Sequence, residues 1–336
     1  MTTFLVRRLF SMVLVWIGVS ILTFFIANVV PTDPVALRLG PKATPETIAL
    51  WRKKLGLDRS LPEQYLGYMG NLLHGDLGQS IWSGRAVTRD LVDYLPATVE
   101  LSLAAALVTV VVGIPLGVLA ATHPGSLFDR FVLFVANFGL AVPLFWLGLV
   151  FQLLFYRSLG WLPIDSRIDL ILGPPKLITG FYTLDSLLAG DMTRLGSSLV
   201  HLVLPTLTLG LFTMGAVARM VRASTIETLQ TQFIRMARAK GVRGRQLLWR
   251  HVLRNSLLPT VTVLGNTVNA LLAGTFVVEA IFNWPGLGWY ATRAILASDY
   301  AAIVSITLVI AVICTTVNLL VDLLYQALDP RIHLTT

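Results

Sequence analysis

Six long stretches without Asp, Glu, Lys or Arg limit what this chain can fold into: Leu9–Val30, Leu101–Thr122, Phe131–Tyr156, Leu195–Ala218, Asn255–Val278 and Tyr300–Val321. A hydrocarbon core of about 30 Å takes about 20 apolar residues at helical rise, so each stretch is long enough to cross a bilayer. Backbone amides in lipid need partners within their own segment, and the runs lack the alternation of a barrel strand. The chain therefore reads as an all-α membrane protein with six transmembrane helices. Composition agrees, with 55% hydrophobic and 13% charged residues, against about a quarter charged in soluble domains.

Orientation follows from the basic residues, which are retained on the cytoplasmic side. Arg7 and Arg8 precede the first run and put the N-terminus in the cytoplasm; six crossings return the C-terminus there. The segment between the fourth and fifth runs, 219–254, carries Arg219, Arg222, Arg235, Arg238, Lys240, Arg243, Arg245, Arg250 and Arg254 against Glu227 alone, and reads as cytoplasmic. The net charge of +8 thus expresses topology. Nucleic-acid binding is excluded, because the cations are neither interleaved with aromatics nor attached to a reading module. The first run exceeds a signal-peptide core and no A-x-A site follows it, so it reads as an uncleaved helix.

This gives an N-terminus and first helix over 1–30, an extracytoplasmic helical cap over 31–100, and a five-helix core over 101–336 with an extracytoplasmic insertion at 157–194. In the cap, Thr44-Pro45-Glu46 is a helix start with Gly56 as its stop. Ser60-Leu61-Pro62-Glu63 starts a second helix, with Tyr65, Leu66, Met69, Leu72 and Leu73 on one apolar face. The insertion, containing Gly173-Pro174-Pro175, predicts loops with short helices. Pro115, Pro143, Pro205 and Pro259 lie inside the runs, and each predicts a bend or local unwinding. Gly113 and Gly117 form a G-x-x-x-G that permits close helix approach, or a chance spacing in a glycine-rich chain.

Proton coupling calls for ionisable groups within the span, and the runs hold only His201, which reads as a hydrogen-bonded helix residue. Glu279 and Asp322 are expected just beyond the fifth and sixth runs, facing water. No phosphate-cradling G-x-x-x-x-G-K-[ST] is present, so if a nucleotide powers the protein, another chain must bind it. Zinc-hydrolase and serine-nucleophile motifs are absent too, leaving no catalytic or metal site to assign. The single cysteine, Cys314, has no partner and reads as a small apolar side chain.

The basic segment carries the functional signal. Ser224-Thr225-Ile226-Glu227 has capping-box spacing. Phe233, Ile234, Arg235, Met236, Ala237, Arg238, Ala239 and Lys240 form a short helix stopped at Gly241, with an apolar side through Phe233, Ile234 and Met236. Such a helix suits a groove on a partner; the plainer reading is a basic loop serving topology or anionic lipid headgroups.

Ala237-Arg238-Ala239-Lys240-Gly241, followed by His251 to Pro259, resembles the coupling loop of binding-protein-dependent ABC importer permeases, in the branch handling dipeptides, oligopeptides, nickel and glutathione. In the general family pattern Glu-Ala-Ala precedes the glycine; Arg235 and Met236 stand in place of the first two, and the longer Gly-to-Pro spacing resembles the peptide branch. Similar motifs run along the chain at His74–Ser80, Leu95–Leu101, Glu279–Gly288, Asn318–Tyr325 and Asp329-Pro330-Arg331. The insertion with Thr179-Gly180-Phe181 looks closest to dipeptide permease subunits.

The resemblance implies a bacterial inner-membrane complex of this chain, a second homologous permease subunit, two ATP-binding subunits holding ATP and Mg, and an extracytoplasmic solute-binding protein. It implies that Phe233–Gly241 couples to the ATPase and that this chain, with no cofactor of its own, forms half of a pathway for dipeptides or short peptides. Trp284, Pro285 and Gly286 read either as part of an outer gate or as an interfacial turn. A permease for nickel chelates or glutathione, and a stand-alone secondary transporter, are the alternatives.

Overall fold

The expected helices form in a computed structural model that describes residues 2–29, 44–54, 58–242 and 244–328. Gly56, Arg243 and Asp329-Pro330-Arg331 lie outside these residues. In chain order the helices are α1 Thr2–Val29, α2 Pro45–Lys54, α3 Leu61–Leu73 and α4 Val87–Val108. A π turn, Thr109–Gly113, leads into α5 Ile114–Thr122, followed by α6 Leu127–Ala141 and α7 Leu144–Phe151. A second π turn, Gln152–Ser158, precedes α8 Tyr182–Leu188, α9 Met192–Gln230 and α10 Gln232–Ala239. Then come α11 Gly244–Leu247, a third π turn Leu248–Val252, α12 Leu253–Ser256, α13 Leu258–Ile281, α14 Leu287–Leu296 and α15 Tyr300–Leu328. No strand occurs among the described residues.

Among the described residues five spans are long and apolar enough to cross a membrane, six if the bent pair Leu127–Ala141 and Leu144–Ser158 is one crossing. The bend is 110°. Pro143 cannot donate to the helix, and Val142 before it is extended at φ −88 and ψ 130, as pre-proline sterics prefer. Elsewhere proline acts less sharply: Pro115 follows a π turn, Pro259 follows the break at Leu257, and Pro205 sits inside unbroken α9, where no break forms.

Several boundaries move. The second span starts at Val87, not Leu101, because Glu100 finds a cation and need not end the helix. The fourth continues past Ala218 to Gln230, so Ser224-Thr225-Ile226-Glu227 caps nothing and lies within the last two turns of the helix, with Ser224 Oγ donating to the Met220 and Ser256 carbonyls. At 39 residues α9 is about 58 Å long at 1.5 Å per residue, well beyond the bilayer core. Glu279 does not face water; it is fully buried in the last turn of α13 and accepts from Thr98 Oγ1 at 2.6 Å. Asp322 likewise lies inside α15 and is half-buried.

The chain forms two compact units, Met1–Leu95 with Gly286–Thr316 and Pro96–Pro285 with Val317–Thr336. In the first, the expected helix starts appear: the Thr47 amide donates to Thr44 Oγ1 and the Ser60 amide to Glu63 Oε2. The face of α3 differs from expectation, since Leu66 and Leu73 are exposed while Tyr65 and Tyr68 pack on Phe24 of α1. A hydroxyl can hydrogen-bond where it docks, and the Tyr65 and Ser20 oxygens lie 2.7 Å apart. Desolvation raises the Tyr68 pKa to about 12. Trp82, Tyr94, Trp289 and Tyr290 form a further aromatic cluster, beside Asp299, which accepts from Ser80 Oγ and the Trp82 amide.

The second unit is built around α9. Helices α5 and α6 approach it through glycines: a Cβ on Gly117 would lie 2.5 Å from the Ala218 carbonyl oxygen, one on Gly139 2.5 Å from that of Leu211, and one on Gly215 2.5 Å from that of Ala136. The expected close approach at Gly113 and Gly117 is thus made, against α9. Leu101, Leu204, Leu209, Leu271, Phe282 and Trp284 fill the adjoining core.

Candidate functional site

The part of α9 at and beyond the end of the apolar run serves as a mount. Val217 and Val221 pack with Val118 and Leu253, while Ser224 Oγ donates to the Ser256 carbonyl at 2.8 Å. Arg222 forms a two-pronged pair with Asp129, which is 2% exposed and also accepts the Gly125 amide at 2.8 Å. Arg219 donates to Asn137 Oδ1 at 3.0 Å. Two of the cations read as topological charge therefore bolt α9 to α6. Removing one partner of a buried pair leaves an uncompensated charge. Asp129→Asn is expected to destabilise the protein by about 3 kcal/mol, at the low end because Arg222 is partly exposed, and the double change with Arg222→Met to recover part of that loss. Thermal unfolding of the four variants in detergent checks it; additive losses would refute the pairing.

On this mount sits α10. Thr231 is its extended N-cap, and the chain leaves it by a Schellman turn, with the Gly241 amide on the Arg238 carbonyl and the Val242 amide on that of Ala237. Gly241 adopts φ +86, which a side chain resists. Among the described residues the helix is held from one side, by Ile234 at 0% exposure against Leu247 and Val252, with Ala237 and Val242 alongside. The apolar side expected through Phe233, Ile234 and Met236 is split, because consecutive residues project about 100° apart on a helix. Ile234 points inward, while Phe233 and Met236 are 40% and 62% exposed.

The same segment also exposes Trp249 and the cations Arg235, Arg238, Lys240, Arg245, Arg250 and Arg254. Arg235, Ala239, Lys240 and Gly241 are themselves exposed. The result is a stiff, basic spur with apolar knobs, suited to an apolar groove with an acidic rim.

At the opposite end of the same unit, Trp284 is 1% exposed, and its Nε1 donates to the Ala97 carbonyl at 3.0 Å. Between Pro285 and Gly286 the chain passes from this unit to the other. Nearby, Arg167 pairs with Glu100, donates to the Gly180 carbonyl and lies 3.7 Å over the Tyr182 ring. Asp185 of α8 accepts the Ile178, Thr179 and Gly180 amides and the Thr179 hydroxyl. Burial pushes its pKa up, yet these donors outweigh burial and hold the carboxyl below its ordinary value. His201 is a hydrogen-bonded helix residue, its Nδ1 lying 2.8 Å from the Ser197 carbonyl.

Sequence reasoning passed over Glu100, Asp129 and Arg167. A carboxylate touching the end of an apolar run was the available signal, since such a charge needs a cation.

Residues 113–334 match the model of a family described as binding-protein-dependent transport system inner membrane component, and residues 1–102 match that of its N-terminal region. The chain is 41% identical over 326 residues to the probable D,D-dipeptide transport system permease protein DdpB of Escherichia coli strain K12, covering 97% of this chain and 96% of that one. It is 40% identical over 335 residues to the di/tripeptide transport system permease protein DppB of Pseudomonas aeruginosa, covering 99% of each. Identity to the oligopeptide transport system permease protein AppB of Bacillus subtilis is 34% over 334 residues, covering 99% of this chain and 100% of that one. Among solved structures, an inward-facing MetNI methionine ABC transporter shares the fold, with a TM-score of 0.53 and 17% identity over 71% of this chain and 96% of that one.

Proposed function

The chain belongs to the family of binding-protein-dependent transport system inner membrane components, and from that membership we propose that it forms half of the translocation pathway of an ATP-binding-cassette importer for dipeptides or short peptides. The pathway is completed by a second homologous permease. Two separate subunits bind ATP and Mg, and an extracytoplasmic binding protein delivers the solute. Both termini and α10 lie in the cytoplasm, retained there by the basic residues, while α2, α3 and the insertion around α8 lie outside. Trp284, Pro285 and Gly286 belong to the outer gate.

The observation that carries the coupling role is the mounting of α10. A helix seated through Ile234 and Ala237, exposing Phe233, Met236, Arg235, Arg238 and Lys240, keeps most of its surface for a partner. Its support is rigid, because Ser224, Thr225 and Arg222 tie α9 to α12 and α6. A push on α10 by closing ATPases therefore moves α9 and the spans packed on it, shifting a two-state element that the binding protein biases from the other side.

Ala239→Asp and Met236→Asp test this, since both positions are exposed and neither change disturbs the seat at Ile234. Losing a central apolar contact at such an interface costs about 2 kcal/mol or more, so uptake in reconstituted vesicles is expected to fall about thirtyfold at unchanged membrane content. Undiminished uptake with the ATPase still bound would remove the coupling role.

A further inference from the structure

The exposed face of α13 is unlike that of a helix bathed in lipid. Asn266, Ala273, Val277 and Ala280 are exposed along it, with half-buried Asn269 and Ala270 between them, following helical spacing. By contrast α1 exposes Phe10, Leu14, Leu22 and Phe25. Asn269 lies halfway along the 24-residue α13, roughly 17 Å from either end at 1.5 Å per residue. There its Nδ2 donates to Oδ1 of Asn318 on α15 at 2.7 Å. One turn away the two helices touch closely, since a Cβ on Gly265 would lie 2.5 Å from Val321 Cγ1.

An amide left without partners in hydrocarbon costs several kcal/mol, so polar side chains at this depth face a bundle interior or a water-filled cavity. Two primary amides joined by one hydrogen bond retain one carbonyl oxygen and one NH2 group, whichever way each is turned. Asn269 Oδ1 is shielded from solvent in this state and has no partner among the described residues, and Asn318 is exposed. A peptide bond presents the complementary pair, one N–H and one C=O. None of the three asparagines carries charge, which suits recognition of the main chain common to all peptides.

Resting on the transport reading above, we propose that Asn266, Asn269 and Asn318 form a mid-membrane amide site that hydrogen-bonds the backbone of the passing peptide. The site lines the pathway, so water reaches Asn266 and Asn318 in at least one state of the cycle.

The test uses the complete transporter in nanodiscs with Cys314→Ser as background. Asn266→Cys and Asn318→Cys are treated with a membrane-impermeant methanethiosulfonate, with and without ATP and dipeptide-loaded binding protein, and Leu14→Cys on α1 is the lipid-facing control. A thiol reacts as its thiolate, which needs water, so both positions are expected to label about tenfold faster than the control in one state, with dipeptide slowing the reaction. Asn318→Leu is expected to lower dipeptide uptake about fivefold, and Asn318→Gln to restore part of it, with ATP hydrolysis still stimulated by loaded binding protein.

Labelling no faster than Leu14→Cys in every state, or unchanged uptake by Asn318→Leu together with cross-links from these cysteines to the second permease, overturns the site and makes the face a subunit contact. The transport reading is judged separately on the unaltered complex. If loaded binding protein does not stimulate its ATP hydrolysis, that reading fails and this one with it.

Discussion

Arg167→Leu is expected to loosen the whole segment between the second π turn and α9 and to cost about 3–5 kcal/mol, the usual penalty for stranding one member of a buried ion pair. Arg167 and Glu100 are 4% and 6% exposed, so solvent cannot take over the lost charge. Glu100 would keep only the Thr183 amide and hydroxyl. Arg167 also donates to the Gly180 carbonyl and stacks over Tyr182, so a single side chain ties the loop to α8 and α4. Arg167→Lys should not rescue the loss, because an ammonium has neither the planar fork nor the flat face. Adding Glu100→Gln to Arg167→Leu should recover part of it by removing the stranded charge. Limited proteolysis and thermal unfolding in detergent report both effects. Wild-type protease resistance in Arg167→Leu would show that the loop is held by something else.

A comparable loss is expected from Gly215→Val. The Cβ would lie 2.5 Å from the carbonyl oxygen and 2.9 Å from the Cα of Ala136, and both are backbone atoms that no side-chain rotation can move. The helices α6 and α9 must therefore separate, undoing the neighbouring contacts at Gly139 and at the Asp129–Arg222 pair. Overpacking of this kind costs about 3 kcal/mol, and here the rigid neighbour puts it at or above that figure. Gly18→Val is the control, since nothing lies within 4 Å of its Cβ position. Thermal unfolding of the pair decides the matter: equal stability would mean that α6 and α9 are not in backbone contact at this point.

The spans were legible because lipid leaves a chain few options. Apolar length with no charge gives a crossing helix almost without reference to anything else, and Pro143 and Pro115 marked real irregularities because a missing N–H is a local fact. For the same reason Phe233–Gly241 was nearly right in its bounds: Gly241 stops a helix through its own backbone, and α10 ends at Ala239 with Lys240 as its cap. Pro205 shows the limit, since a proline only permits a break, and the close packing of α9 keeps this one helical.

What stayed hidden involves partners far off in the chain. Glu100 ended the expected outer segment because a charge appeared to forbid a membrane helix, yet its cation comes from 67 residues away. Asp129 meets Arg222 across 93 residues, and Thr98 meets Glu279 across 181. The capping-box spacing at Ser224 is overridden in α9, where its hydroxyl meets the Ser256 carbonyl, 32 residues away.

By itself, then, the order of residues determined that the chain is a bundle of membrane helices, where most of them lie, and that a short basic helix follows the fourth. These depend on solvent transfer, backbone donors and local torsions, all properties of a segment on its own. Only the tertiary structure decided which charges are buried, which face of α10 is free and which amides α13 shows at mid-depth. Those outcomes depend on the distance between atoms brought together by packing, and a Coulomb or hydrogen-bond energy is set by that distance rather than by separation along the chain.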